Sequence, residues 1–210
     1  MILAFCAAAL VSSPARAQDG SGAIVSGSIA AAVTADDTNA SLAGAVGYRF
    51  NRVIGLGVEL TSIPRLKLAT PDGRALSAYE NITTTDGRTS IIFFTTNVRV
   101  EIPTTSRRIL PFAVGGGGVA STRQEYTITV QPLLPPFLES PTLGGSFVAL
   151  PSASTHIANV STGMALTLGG GVSILATQHV AVDVDARTLY VRGNPGGSIG
   201  RFAAGVSYRF

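Results

Sequence analysis

From about residue 23 to the end of the chain, apolar residues alternate with small or polar ones at a period of two. That spacing belongs to strands whose two faces meet different surroundings. In Ser90–Ile102, Phe94, Val98 and Val100 share one face while Asn97, Arg99 and Glu101 share the other. In His179–Tyr190, Val180, Val182, Val184 and Tyr190 oppose Asp183, Asp185 and Arg187. In Ser198–Phe210, Phe202, Val206, Tyr208 and Phe210 oppose Arg201, Ser207 and Arg209. A helix would scatter these charges around its circumference. Such runs predict eight strands, near residues 23–34, 41–50, 53–62, 90–102, 109–122, 161–175, 179–191 and 198–210.

The connections differ in length. "NR" after Phe50, "PTTSRR" after Ile102 and "TQH" after Ala176 are tight, and "ADDTNA" and "GNPGG" are short. Ile63–Thr89 and Arg123–Val160 are predicted as long loops, the second carrying the Pro-rich "QPLLPPFLESP". Short turns at one end and long loops at the other are the signature of a transmembrane β-barrel, an architecture that leaves no unpaired edge in lipid. Soluble up-and-down barrels use the same alternation with the apolar side inward. Three features favour lipid outside. The polar face carries both signs sparsely, with Arg49, Arg99, Arg187, Arg201 and Arg209 against Glu59, Glu101, Asp183 and Asp185, and Lys occurs only at Lys67. The apolar face is almost free of charge, as lipid demands. Tyr48, Phe50, Phe112, Tyr190, Tyr208 and Phe210 fall at strand ends, where interfacial aromatic girdles sit.

Composition supports this picture. Charged residues are 13% of the 210, about half the ordinary share, and Gly is abundant at 24. No apolar run reaches the length of a spanning helix. The net charge of +3 is spread without a basic run, which argues against nucleic acid as a partner. Residues 1–17 hold an apolar stretch from Ile2 to Val11 and end Ala15-Arg16-Ala17, the form of an export signal with an A-x-A cleavage site. The expected mature domain is 18–210, without cysteine because Cys6 lies in the signal.

"GVSYRF" at the terminus, "GYRFNR" at the first tight turn and "PFAVGGGGVA" resemble the small outer-membrane β-barrel family, which includes the membrane domain of outer-membrane protein A. The resemblance covers Gln18–Phe210. It implies an all-β, eight-stranded antiparallel up-and-down barrel with short periplasmic turns, in contact with outer-membrane lipid and lipopolysaccharide. The family's assembly signal is similar to polar-x-Gly-x-x-aromatic-x-aromatic. Gly205, Tyr208 and Phe210 fit it, whereas Ala203 stands at its polar position. The resemblance thus implies reading of the last strand by the barrel-assembly machinery.

Candidate chemistry is thin. Gly115-x-Gly117-x-x-Ala120 matches a dinucleotide fingerprint in form, but that fingerprint needs a following helix and the chain continues as strand. Glycines easing strand curvature and close packing are the better reading there and in "LGGGVS". Asp183 and Asp185 could act as paired carboxylates, yet the arginines predicted on the same interior favour ion pairing. His156, near Ser152 and Ser154 in a predicted loop, raises a lipid A deacylase or acyltransferase, but the resembling His-x-Ser pattern is broken by Ala158. His179 falls in a predicted periplasmic turn. Two histidines without cysteine argue against zinc, and no cofactor is expected. The expectation is a monomeric, non-enzymatic barrel with a side-chain-filled interior and adhesion-type surface loops, their ligand unreadable. A lipid A-modifying enzyme and a narrow passive pore are the alternatives.

Overall fold

In the computed structural model, the described residues are 21–34, 37–66, 82–106, 108–130, 153–193 and 196–210. They form β1 (Gly22–Val33), β2 (Thr38–Arg49), β3 (Ile54–Leu66), β4 (Ile82–Glu101), β5 (Ile109–Val130), β6 (Ala153–Leu175), β7 (Val180–Arg192) and β8 (Gly197–Arg209). Each strand pairs antiparallel with its sequence neighbours, and β8 returns to β1 with Ile24 opposite Arg209, so the sheet closes without an edge. Phe210 extends this seam, its N–H donating to the Ala23 carbonyl at 2.9 Å.

Side chains that make one wall of the closed sheet alternate between lumen and exterior. Ile29, Leu42, Leu60, Phe94, Leu168, Val184, Phe202 and Val206 are all exposed, Leu168 at 73% and Phe94 at 51%. A continuous apolar exterior of this extent is unstable in water and matches the hydrocarbon layer of a membrane. The tight turns lie together at what we term the turn end. In one, Asn51 Oδ1 accepts from the N–H groups of Val53 (2.8 Å) and Ile54 (2.7 Å). In another, Thr177 Oγ1 accepts from His179 and Val180. Tyr48 packs on Phe50 with centroids 5.6 Å apart, and Tyr208 on Phe210 at 4.8 Å, both edge to face at this end. The repeated Tyr-Arg-Phe therefore marks two strands reaching one interface.

Two sequence expectations need correction. The segments 63–89 and 123–160 are not loops throughout, because β3 runs to Leu66, β4 starts at Ile82, β5 ends at Val130 and β6 starts at Ala153. The remainders, 67–81 and 131–152, lie outside the described residues. At the far end, termed the loop end, β4, β5 and β6 among the described residues thus outrun β3 and β7 as a three-stranded ridge, with Ile82 opposite Val130 and Val130 opposite Ala153. Phe112 does not join the aromatic girdle. It is 3% exposed inside the barrel, under the Arg99 guanidinium, whose carbon lies 3.6 Å from the ring centroid. Residues 111–114 are apolar on both faces, so alternation there carries no phase.

Candidate functional site

The lumen is filled by two layers of different chemistry. Towards the loop end, Ala32, Ile63, Leu66, Ile91, Phe93, Ala120, Ala165, Leu189, Val191 and Ile199 pack into one buried apolar cluster. The sequence reading placed only charged and small residues on this face, so the cluster is a third correction to it. Towards the turn end the lumen is polar, and all nine of the charged residues named from sequence project into it.

The middle of the barrel is braced by Glu59. Its Oε2 lies 2.6 Å from Arg187 Nη1 and its Oε1 lies 2.9 Å from Arg201 Nη1, so one carboxylate on β3 joins arginines on β7 and β8. Arg187 and Arg201 stand directly opposite each other across the β7–β8 ladder, where like charges repel. Glu59 offsets that repulsion from the other wall. Asp185 Oδ1 holds Arg187 Nε at 2.9 Å, Thr61 donates to Glu59 Oε1 at 3.0 Å, and Arg201 Nη2 donates to Ser28 Oγ at 2.7 Å. The two aspartates pair with interior arginines as expected, Asp185 with Arg187 and Asp183 with Arg99, and not with Arg201.

Nearer the turns a second set gathers around Glu101, which lies 3.1 Å from Arg209, 3.4 Å from Arg99 and 3.4 Å from Arg49. Arg99 also reaches Asp183 at 3.4 Å. Ser173 knits the set together. Its hydroxyl donates to Asp183 and accepts from Arg99 Nη2 at 2.8 Å and from Arg209 Nη2 at 3.3 Å. A cavity of about 90 Å³ lies beside the polar layers, lined by Gly47, Gly55, Gly57, Asn97, Glu101 and Arg187 among others. Ser173, Thr61 and Ser28 escaped the sequence reading, since isolated hydroxyls on a Ser/Thr-rich face carry no signal of their own.

The glycines explain how so many long side chains fit. Asp183 faces Gly205, Asp185 faces Gly171, Arg187 faces Gly169 and Arg99 faces Gly55 across the ladders. A Cβ at Gly169 would lie 2.6 Å from Arg187 Cα, and one at Gly171 would lie 2.8 Å from Asp185 Cα and Cβ. Close strand approach therefore requires glycine at these positions. The same holds at Gly205, where a Cβ would lie 2.7 Å from Ser28 Cβ. Tyr208 and Phe210 face outward.

The candidate catalytic group has a different setting from that expected. His156 stands on β6 opposite Thr127 in the ridge rather than in a loop, and Ser154 Oγ lies 3.1 Å from Thr129 Oγ1. Ser152 lies outside the described residues. His179 is in the β6–β7 turn, stacked on Tyr208 at 5.9 Å with Nδ1 2.9 Å from the Arg209 carbonyl oxygen.

A closed eight-stranded barrel with an apolar exterior, a filled lumen and tight turns at one end defines the class of small outer-membrane barrels. The sequence matches the family model described as outer membrane protein beta-barrel domain over residues 3–210, and the chain belongs to that family. Its place is the bacterial outer membrane, with the tight turns on the periplasmic side. No curated protein matches the chain significantly. Among solved structures it is similar to Neisserial surface protein A, at 18% identity over 91% of this chain and 97% of that one, with a TM-score of 0.51. It is also similar to Ail, the attachment invasion locus protein of Yersinia pestis, at 13% identity over 92% and 100% with a TM-score of 0.49. The N-terminal β-barrel domain of Pseudomonas aeruginosa OprF gives 8%, 89%, 97% and 0.48 respectively. The likeness to Neisserial surface protein A is one of fold.

Proposed function

We propose that this outer-membrane barrel is a sealed, non-catalytic scaffold that presents the β4–β5–β6 ridge at the cell surface for adhesion-type contacts. The ridge carries this reading. Among the described residues three strands continue past their neighbours, and β5 and β6 carry Thr127, Thr129, Ser154 and Thr155 there, with Thr129 opposite Ser154. Hydroxyl-rich strand surface offers many hydrogen-bonding groups held on a rigid support. Beneath it, the apolar layer and the ion-paired layer obstruct the lumen, as expected where eight strands leave room only for side chains.

The decisive experiment replaces residues 125–158 with a short turn and compares adherence of cells displaying either form to epithelial cells and to each other. Reduced adherence with equal surface amounts is expected. Equal adherence by both forms would remove the surface role. Planar-bilayer recordings test the seal separately, since stepwise conductance by the wild type would establish a pore. The lipid A-modifying alternative requires a hydroxyl working with His156, and the Ser154 hydroxyl engages Thr129 instead.

The proposed mature chain begins at Gln18 after loss of residues 1–17, which N-terminal sequencing of the membrane form checks. We further assign Gly205, Tyr208 and Phe210 to recognition by the barrel-assembly machinery, and a monomeric state to the finished barrel. Deleting Phe210 should lower the folded, heat-modifiable fraction in cells more than in detergent refolding. An equal loss in both would reduce Phe210 to a structural residue.

A further inference from the structure

We propose that the turn-end half of the lumen binds one small, singly charged oxyanion that carries an O–H group, of the class of bicarbonate or dihydrogen phosphate, between Arg49 and Arg99. The first ground is charge. Around Glu59 the interior balances, with Arg187 and Arg201 against Glu59 and Asp185. Around Glu101 it does not, since Arg49, Arg99 and Arg209 meet Glu101 and Asp183 as the acids among the described residues. Three guanidinium groups share the Glu101 carboxylate there, at 3.1–3.4 Å, against 2.6–2.9 Å for the arginines on Glu59. The Phe210 carboxylate forms no ion pair with them among the described residues. One positive charge in the interior is thus without a counter-charge, an arrangement that a protein interior disfavours.

The second ground is space. Arg49 and Arg99 face the same Gly55, one across the β2–β3 ladder and the other across the β3–β4 ladder. One row deeper, Gly57 lies between Gly47 and Asn97. The inner wall between the two arginines is therefore bare, and the cavity of about 90 Å³ lies against it. Its lining runs from Glu59 and Arg187 to Val53 in the β2–β3 turn. Arg49 and Arg99 are the most open side chains of their set, at 15% and 22%, so an ion from the periplasm reaches them past the turns. The third ground is the groups left over. Arg99 Nε and Glu101 Oε2 belong to two residues of this lining, and both atoms are buried without a hydrogen-bond partner among the described residues. One is a donor and the other an acceptor. A halide meets only the donor. An oxyanion with one O–H meets both, since its charged oxygens accept from the guanidinium groups while its O–H donates to Glu101 Oε2. The inference goes beyond the scaffold reading and needs no pore, because the apolar cluster fills the lumen towards the loop end.

The test uses the full barrel refolded in detergent and titration calorimetry at fixed pH and ionic strength, with bicarbonate, inorganic phosphate, nitrate and chloride as probes. Bicarbonate and nitrate share shape and charge and differ in the O–H. Wild type should bind bicarbonate about tenfold or more tightly than nitrate, the scale of one charge-assisted hydrogen bond. R49Q, which removes the excess charge, should weaken both by a similar factor. E101Q, which removes the acceptor and adds to the excess, should tighten nitrate and erase the preference. R52Q, in the β2–β3 turn but outside the cavity lining, should behave as wild type. Heat-modifiability of every sample reports separately whether the barrel has folded. Equal binding of bicarbonate and nitrate by folded wild type would overturn the proposal whatever the variants do. Unchanged affinities in folded R49Q would also overturn it and mark an adventitious ion only. With the preference over nitrate established, the tighter of bicarbonate and phosphate tells whether the site is built for a planar or a tetrahedral ion.

Discussion

The two halves of the lumen fill the same space by opposite means. Along the inward face of β7 the chain reads Asp183, Asp185, Arg187, then Leu189 and Val191. The first three belong to the ion-paired layer and the last two to the apolar cluster. The apolar half gains from removing hydrocarbon surface from water and tolerates modest repacking. The polar half gains little net energy from its ion pairs, because desolvation offsets most of their attraction. What it supplies is register. A one-residue slip of any strand would turn its charges onto the lipid face, at about 2–4 kcal/mol for each Arg near the bilayer midplane. It would also remove the glycines opposite Asp185 and Arg187. The charged half specifies the pairing, and the apolar half contributes more of the stability.

The sharpest way to break this contrast is Glu59→Ala. Arg187 and Arg201 would remain opposite each other without the carboxylate that bridges them, and Arg201 is 1% exposed. Unfolding in denaturant should show a loss of about 3–5 kcal/mol, the range for stranding a buried charge. The double variant Glu59→Met/Arg201→Met should recover most of it, since an apolar pair of similar volume avoids the desolvation cost. If the double variant is no more stable than the single one, bridging by Glu59 is not what holds this layer.

Leu189→Ala probes the other half on the same strand and face. The side chain is 3% exposed within the apolar cluster, so truncation should cost about 2–4 kcal/mol through lost burial and a residual cavity. No partner substitution should rescue it as the double variant rescues Glu59. Gly171→Ala comes next. Its new methyl would press on Asp185 Cα and Cβ at 2.8 Å, and an overpacking loss of about 1–3 kcal/mol is expected. A stability equal to wild type would show that β6 and β7 separate freely, and would weaken the register role assigned to the small–large pairing.

How far the sequence disclosed all this depends on contrast between the two faces. Where one face is charged and the other apolar, as in Asn97–Glu101 or Asp183–Arg187, the phase and the inward residues were legible. Where both faces are apolar, as at 111–114, the signal vanishes and Phe112 was placed on the wrong face, whereas Leu189 and Val191 follow from the phase of Asp183–Arg187 once it is carried two steps further. Where both faces are polar, it vanishes equally. In 153–160, Ser, Thr, His and Asn fall on both faces and the strand resembles loop, whereas in 123–130 Tyr126, Ile128 and Val130 do alternate with Glu125, Thr127 and Thr129, and it was the Pro-rich run after them that drew the loop boundary too early. Pairing across the lumen was hidden for another reason. Glu59 meets Arg187 and Arg201 through barrel closure, at sequence separations of 128 and 142, and no local pattern encodes that.

The smallest expected effect, Arg99→Lys, asks how sharp the boundary of the polar layer is at its periplasmic edge. Arg99 is 22% exposed, the most open member of its set, with acidic contacts of 3.4 Å rather than the 2.6–2.9 Å found around Glu59. Its planar guanidinium also covers the Phe112 ring and donates to Ser173. Lysine keeps the charge but loses the flat stacking surface and the second donor. A loss of about 0.5–1 kcal/mol is therefore expected, mostly from the cation–π contact. The matched variant Phe112→Leu should remove the same increment, and the two together should cost less than their sum. Strict additivity would mean that Arg99 and Phe112 act separately, and that the polar layer ends with the Glu101 ion pairs rather than at the ring beneath them.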